Sequence, residues 1–459
     1  MTGEGRGARA LPSAFITDLL LAGVAVGLKL AIDAWVLRLG FSHVSDDDYA
    51  RTVIAERFAL APHLDPSGTS WLPLPFWVTG GAMAIVGRSL ESARAIAVVL
   101  GALGVIAPFA AMRGAGVSRP AAMGATLAAM ALPWSAWLDV ATVPDGWTAA
   151  LIAAGAIAMR VERARAWAAA ALLAASLARY EAWPACAVFA VFAGVTARRL
   201  EGAARRRAIV CAIIAMAGPV LWMAWNAHAH GSPFHFVARV TAFRRAIGAA
   251  DLPLRDKLLG YPRALVGEVP EAAVLGALGI AGAARSRPLR DRWLAALGVA
   301  LAVLVFLVIG DLGDGAPTHH PARALGAVGW ILVGAGVDTA VTAAAGASAR
   351  AARVAVAVAG GAVALAWTIG LPGRWAEAPG NSDYERRDAQ IARGRALRDE
   401  DVAAAQITPC QFEHFALIAA WGRPDRAQVR PRTGAPLTSA CPAVAAGDPD
   451  DAAHGAVAR

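Results

Sequence analysis

Ser45-Asp46-Asp47-Asp48-Tyr49-Ala50-Arg51 stands a few residues past the first long apolar run of a chain that is otherwise poor in charge. Charge beside a membrane is expensive to keep, so three consecutive carboxylates there point to use. The stretch then runs into an amphipathic segment in which Tyr49, Val53, Ile54 and Phe58 form an apolar face. A structural reading competes with the functional one. Ser45 followed three residues later by Asp48 fits a capping box, and acids suit a helix N-terminus. Capping accounts for one or two of the acids more readily than for all three.

The surrounding composition gives these acids their setting. The chain has 459 residues, of which 57% are hydrophobic and 17% charged, against about 25% charged in soluble domains. Alanine-, valine- and leucine-rich runs recur from Leu11 to about Leu371, many near the roughly 20 residues that cross a bilayer. The expected class is an all-α polytopic membrane protein. The net charge of +9 is nearly all arginine, with Lys29 and Lys257 the only lysines. The arginines fall in short loops between apolar runs, which is a topology signal and not a nucleic-acid surface. Arg6 and Arg9 precede the first run, which from about 12 to 39 is too long for a signal-peptide core, so an uncleaved span is expected.

Loop arginines also settle the order of crossings. With the N-terminus inside and Trp71–Gly87 not crossing, the loops holding Arg113/Arg119, Arg160–Arg165, Arg198–Arg207, Arg285–Arg292 and Arg350/Arg353 all fall on the inner side. A crossing at Trp71–Gly87 would move every later arginine-rich loop outside, against the positive-inside rule. Trp71-Leu72-Pro73-Leu74-Pro75-Phe76-Trp77 instead suits an interfacial helix, with prolines that interrupt and tryptophans that favour the headgroup layer. About eleven spans result, at roughly 12–39, 92–112, 119–138, 146–160, 165–178, 182–197, 208–227, 264–284, 293–310, 322–346 and 352–371. Residues 1–372 form the membrane domain and 373–459 a small extracytoplasmic C-terminal region, its last dozen residues expected to be disordered. The expected location is the bacterial cytoplasmic membrane, N-terminus in and C-terminus out.

This topology gathers the chemistry on one side. Asp46, Asp47, Asp48, Asp139, Asp145, Arg179, Glu181, the His228–Arg245 stretch, Asp311, Asp314, His319, His320 and Arg323 all fall outside, while the inner loops carry arginine and little else. Several have a second reading. Asp145 in Pro144-Asp145-Gly146-Trp147 also fits a helix cap, and Arg179 either pairs with Glu181 or grips a lipid phosphate with its planar fork. The spacing of His228, His230 and His235, and of His319 and His320, suggests metal ligands, but no metalloenzyme signature with a matched carboxylate appears, and solvated interfacial histidines are the plainer reading. Cys186 and Cys211 read as apolar core residues; Cys410 and Cys441 pair if the tail faces an oxidising compartment.

In order along the chain, these segments resemble the GT-C superfamily of polytopic glycosyltransferases, which includes protein mannosyltransferases and lipid A aminoarabinose transferases. Asp46-Asp47-Asp48-Tyr49 looks like the acidic motif of that family's first outer loop. Leu72-Pro73-Leu74-Pro75-Phe76-Trp77 resembles its Pro-aromatic juxtamembrane segment, Asp145 its second-loop acid, and Arg179-Tyr180-Glu181-Ala182-Trp183-Pro184 its basic step. Trp225-Asn226 with His230-Gly231-Ser232-Pro233-Phe234-His235-Phe236 is similar to its Trp-Asn…Gly-x-Pro-aromatic segment. The usual lysine near the Pro-aromatic segment is missing, and the tail is small.

The resemblance implies an inverting transfer from a polyprenyl-phosphate sugar donor to a lipid, glycan or protein acceptor. Asp46, Asp47 and Asp48 are then the catalytic candidates, with a carboxylate of Asp46 or Asp47 as general base. Tyr49, Asp145, Arg179, Glu181, His320 and Arg323 are the donor-side candidates, with Arg244 and Arg245 behind them. Some relatives bridge acid and phosphate with a divalent metal, which nothing in this sequence demands. Membrane lipids are the other expected partners. A transporter or lipid flippase is the alternative. Such proteins place ionisable groups within the membrane, and here Lys29 and Asp33 are the main ones, at helical i, i+4 spacing. A non-catalytic envelope scaffold would keep the fold without the chemistry.

Overall fold

A computed structural model describes residues 13–246, 252–315, 320–346, 350–382, 386–408 and 412–430. Cys410, Cys441, His319, Arg6, Arg9 and the terminal dozen residues lie outside them. The chain is a helical bundle with one short parallel strand pair. In order it runs α1 (Ser13–Arg38), α2 (Asp47–Leu60), α3 (Leu74–Val86), α4 (Leu90–Gly104), α5 (Ile106–Gly114), α6 (Arg119–Ala131) and α7 (Pro133–Val140). Then follow α8 (Asp145–Ala158), α9 (Arg165–Ser176), α10 (Ala182–Ala197), α11 (Gly202–His230), α12 (His235–Ala246) and α13 (Leu254–Gly267). The last part holds α14 (Pro270–Arg285), α15 (Arg287–Leu312), α16 (Gly326–Gly346), α17 (Arg350–Ala376), α18 (Asp388–Asp399), β1 (Ala405–Ile407), α19 (His414–Trp421) and β2 (Ala427–Val429).

Local chemistry explains most of the boundaries. Ser89 and Ser118 cap α4 and α6 by accepting from the amides of Ser92 and Ala121. Gly231 closes α11 in the left-handed region at φ 74°. Pro133 breaks the expected span 119–138 into α6 and α7, bent by 70°, and Pro270 breaks 264–284 into α13 and α14, bent by 92°. Proline has no amide hydrogen to continue the ladder, and its ring crowds the preceding turn.

Among the described residues, five helical stretches are long and apolar enough to cross a bilayer, or seven if each bent pair is one crossing. The expected spans 146–160, 165–178 and 182–197 rest on α8, α9 and α10, of 14, 12 and 16 residues. At 1.5 Å per residue these are shorter than the roughly 30 Å hydrocarbon core, so helix length alone does not yield eleven crossings. Helix α3 has 13 residues, about 20 Å, and is likewise short of a crossing.

Small residues let the bundle close tightly. On α14, a Cβ at Gly276, Gly279 or Gly282 would meet Leu332, Ala335 or Thr339 of α16 within 3 Å. A Cβ at Gly336 would stand 2.3 Å from the Leu275 carbonyl oxygen, a backbone atom that cannot rotate away. Helices in lipid associate through such packing. Gly336→Leu is therefore expected to destabilise the bundle by about 1–3 kcal/mol or more, read as a lower Tm of the detergent-solubilised protein. An unchanged Tm would mean that the two helices do not pack this closely.

Two sets of buried charges between the helices are matched. Lys29 Nζ lies 2.8 Å from Asp33 Oδ1, the i, i+4 pair expected from sequence, and also 2.8 Å from Asp139 Oδ2 on α7. Arg292 and Trp293 both donate to Asp338 Oδ2, at 2.6 and 2.8 Å.

The C-terminal elements pack directly on α2. Ile391, Leu397, Ile418 and Trp421 share one buried cluster with Tyr49 and Val53. Arg395 and Arg398 reach Glu91 at the start of α4. Glu56, also on α2, is fully buried, and neither carboxylate oxygen has a hydrogen-bond partner among the described residues. Burial pushes this carboxyl well above its ordinary value against the pull of Arg88, with Glu91 adding to the rise. The folded chain thus keeps a proton that the unfolded chain releases, and stability falls as pH climbs from the ordinary glutamate range toward the raised value. Glu56→Gln should flatten that fall, giving a higher Tm than wild type at pH 8 and a nearly equal one at pH 4. Parallel Tm–pH curves for the two proteins would contradict it.

Candidate active site

Helix α2 presents its first residues in three directions, because successive residues turn by about 100°. Asp47 and Arg51, one turn apart, share one face. Asp48 and Thr52 share the next and meet the α7–α8 connection. There Thr142 donates its amide to Asp48 Oδ1 at 3.1 Å, and the Thr52 and Thr142 hydroxyls lie 3.1 Å apart. Tyr49 and Val53 share the third, against the C-terminal elements.

On the Asp47 face a chain of alternating charge is assembled. Arg323 Nη1 donates to Asp47 Oδ2 and to Ser45 Oγ, both at 3.1 Å. Its Nε and Nη2 donate to Asp145 Oδ1 and Oδ2 at 2.8 and 3.3 Å. Arg179 Nη2 lies 3.3 Å from Asp145 Oδ1, and the same guanidinium makes a two-pronged contact with Glu181. Asp145, Glu181 and Arg323 are buried; Asp47 is the open end, with its side chain 43% exposed. Burial works against the charge of Arg179, but Asp145 and Glu181 outweigh it and hold the guanidinium above its ordinary value.

Two turns and the starts of two helices, α2 and α8, position this chain. Asp145 is the first residue of α8, set by Pro144. Arg179 and Glu181 occupy the tight connection between α9 and α10, tied to α3 where the Leu74 amide donates to the Leu177 carbonyl at 3.0 Å. Arg323 sits in a 3-10 turn, Pro321–Leu325, before α16. Beside Arg179, Tyr180 stacks on Phe236 at 4.7 Å and accepts from Trp222 Nε1 at 3.0 Å. Phe236, from the segment similar to Trp-Asn…Gly-x-Pro-aromatic, thereby joins Tyr180, Trp183 and Trp222 in an aromatic wall.

The candidates separate accordingly. Asp47, Asp145, Arg179, Glu181 and Arg323 come together. Asp46 instead takes both prongs of Arg387 from the C-terminal region, each at 2.9 Å. Asp48 is buried, its oxygens accepting from the amides of Val44, Ser45 and Thr142 at 3.1–3.3 Å. Burial raises its carboxyl above the ordinary range against His43, Arg323 and those amides. One half of the capping box thus forms, from Asp48 back to the Ser45 amide, while the Ser45 hydroxyl serves Arg323. Tyr49 faces away from the arginines, its hydroxyl 3.1 Å from Ser42 Oγ and 3.3 Å from His43 Nδ1. The His320 ring lies 5.5 Å from that of Trp134. Arg244 is buried on Asp311 at 2.7 Å.

Arg51 is the residue that sequence reading passed over. Its guanidinium lies over Trp71, 4.4 Å from the ring centroid, and burial lowers it to about 10, with Asp47 pulling the other way. Its place one turn after Asp47 was the available signal. Among the described residues no three of His, Cys, Asp and Glu are grouped to hold a metal, and the site acids are answered by arginines. That donor set does not fit a divalent ion.

The same architecture recurs in solved membrane enzymes. ArnT from Cupriavidus metallidurans bound to undecaprenyl phosphate matches with a TM-score of 0.58 at 18% identity, over 94% of this chain and 88% of that one. The apo state of that protein gives 0.55 at 16% identity, over 91% and 90%. The Archaeoglobus fulgidus oligosaccharyltransferase in complex with Zn and sulfate gives 0.50 at 13%, over 89% of this chain and 62% of that one. No family profile and no curated protein matches the chain by sequence. The described residues carry the fold of these proteins, as the sequence resemblance implied, with helices long and apolar enough to cross a membrane several times.

Proposed function

We propose that this protein is a membrane glycosyltransferase that moves a sugar from a polyprenyl-phosphate donor to an acceptor hydroxyl at the extracytoplasmic face. The observation that carries the reading is the Asp47–Arg323–Asp145–Arg179 chain, in which an accessible carboxylate ends a row of paired arginines, Arg323 buried and Arg179 half-buried. Asp47 takes the proton of the acceptor hydroxyl as its oxygen attacks the anomeric carbon. The bond from that carbon to the phosphate oxygen breaks on the opposite side, so the centre inverts. The departing polyprenyl phosphate gains negative charge, and Arg323 and Arg179 are pre-positioned by Asp145 to meet it. Asp48 shapes the turn, and Asp46 ties it to the C-terminal region. The undecaprenyl phosphate held by the ArnT neighbour supports a donor of this class.

The test is incubation of the purified full chain in lipid nanodiscs or vesicles with a labelled polyprenyl-phosphate sugar and a hydroxyl acceptor pool. Release of polyprenyl phosphate with label moved to acceptor is expected. Movement of intact donor across the bilayer without bond cleavage would overturn the proposal in favour of a flippase.

A further inference from the structure

Three guanidinium groups surround Asp47 and Asp145, and two of them are matched. Arg323 answers Asp47 and Asp145; Arg179 answers Asp145 and Glu181. Arg51 is 5% exposed, and its Nε and Nη1 have no hydrogen-bond partner among the described residues. Its neighbours are the faces of Trp71, at 4.4 Å, and Phe76, at 5.7 Å. The charges acting on it are those of Asp47, Arg179, Arg323 and Asp145, so it belongs to the same cluster.

A guanidinium buried without an anion is costly, and aromatic faces return only part of that cost. An apolar side chain would fill the space over Trp71 without the penalty. The charge therefore asks for an anion that the chain does not itself provide. Planar, permanently charged and forked, a guanidinium suits phosphate oxygens, and the two rings fix its plane. Arg51 also lies one turn from Asp47, so a single helix face presents the base and, beyond it, a free cation.

We propose that Arg51 is a direct ligand of a lipid-linked phosphate, which sits among Arg51, Arg179 and Arg323 while Trp71 and Phe76 hold the Arg51 guanidinium in plane. The proposal deepens the glycosyltransferase reading and rests on it for the lipid attached to that phosphate.

The test measures binding of three probes to the full-length protein in nanodiscs: a polyprenyl monophosphate, the matching polyprenol and inorganic phosphate. Arg51→Gln should weaken the polyprenyl phosphate roughly 10- to 100-fold, the loss of charge-assisted hydrogen bonds, and leave the polyprenol unchanged. Arg51→Lys, with a point charge in place of the fork, should fall between. A folded Arg51→Gln that binds polyprenyl phosphate like wild type overturns the proposal, even if wild type transfers sugar normally. If wild type transfers no sugar yet its phosphate binding depends on Arg51, the enzyme reading fails and the phosphate site stands. Inorganic phosphate binding as tightly as the lipid form would overturn the lipid-linked assignment. Should Arg51→Gln fail to fold, Arg51→Lys decides: affinity equal to wild type counts against the fork as ligand.

Discussion

Asp47→Asn is expected to lower the transfer rate by roughly 10²–10⁴-fold while the protein inserts and folds normally. The substitution keeps the shape of the side chain and an oxygen able to accept from Arg323, and removes the basic lone pair that receives the acceptor proton. The Asp47 side chain is 43% exposed and Arg323 keeps both oxygens of Asp145, so the change is expected to disturb the fold little. Initial rates with labelled donor give the first number, and affinity for polyprenyl phosphate should move little. Asp46→Asn is the comparison. It weakens the two-pronged contact with Arg387, and a smaller loss is expected from that looser attachment. Full activity in an Asp46→Asn/Asp47→Asn double variant would remove carboxylate base catalysis from the account.

Arg323→Met should cost both stability and activity. The arginine is buried and donates to Ser45, Asp47 and both oxygens of Asp145. Without it Asp145, itself buried, keeps among the described residues the 3.3 Å ion pair with Arg179. Removing one partner of a buried ion pair costs roughly 3–5 kcal/mol, so Tm should fall on the order of 5–10 °C. Transfer should fall below detection, because the leaving phosphate loses a cation and Asp47 loses its tether. Adding Asp145→Asn should recover part of the Tm and none of the rate, which separates the folding role from the chemical one. A single variant with wild-type Tm and rate would show that this arginine neither holds the acids nor meets the phosphate.

Much of the site could be read from residues, but not its division of labour. Three adjacent acids look equivalent in a sequence. On a helix they diverge by about 100° a step, and what each one does depends on what packs there. Asp46 finds an arginine from the C-terminal region, Asp47 one from a turn before α16, and Asp48 the amides of its own and a neighbouring turn. Its place in the motif puts Tyr49 with the donor side, yet the same rotation sends it toward the C-terminal elements. Arg51 was hidden for the converse reason. Its proximity to the cluster follows from helical spacing, but the missing acid partner shows only in three dimensions.

Apolar runs, loop arginines and the half-formed Ser45–Asp48 cap act over a few residues or through transfer to lipid, so they are legible in the sequence, whereas the breaks at Pro133 and Pro270 fall inside expected spans and show only in the fold. They define a polytopic helical protein and the segments that carry its acids and arginines. Which charges meet is another matter. Asp47 and Arg323 are 276 residues apart, Asp46 and Arg387 341, and Lys29 and Asp139 more than a hundred. Pairings over such distances are set by how helices pack, through contacts such as Gly336 against the Leu275 carbonyl, and no local propensity encodes them. The tertiary structure alone decided that Asp47, of three neighbouring aspartates, is the one left open beside a row of arginines.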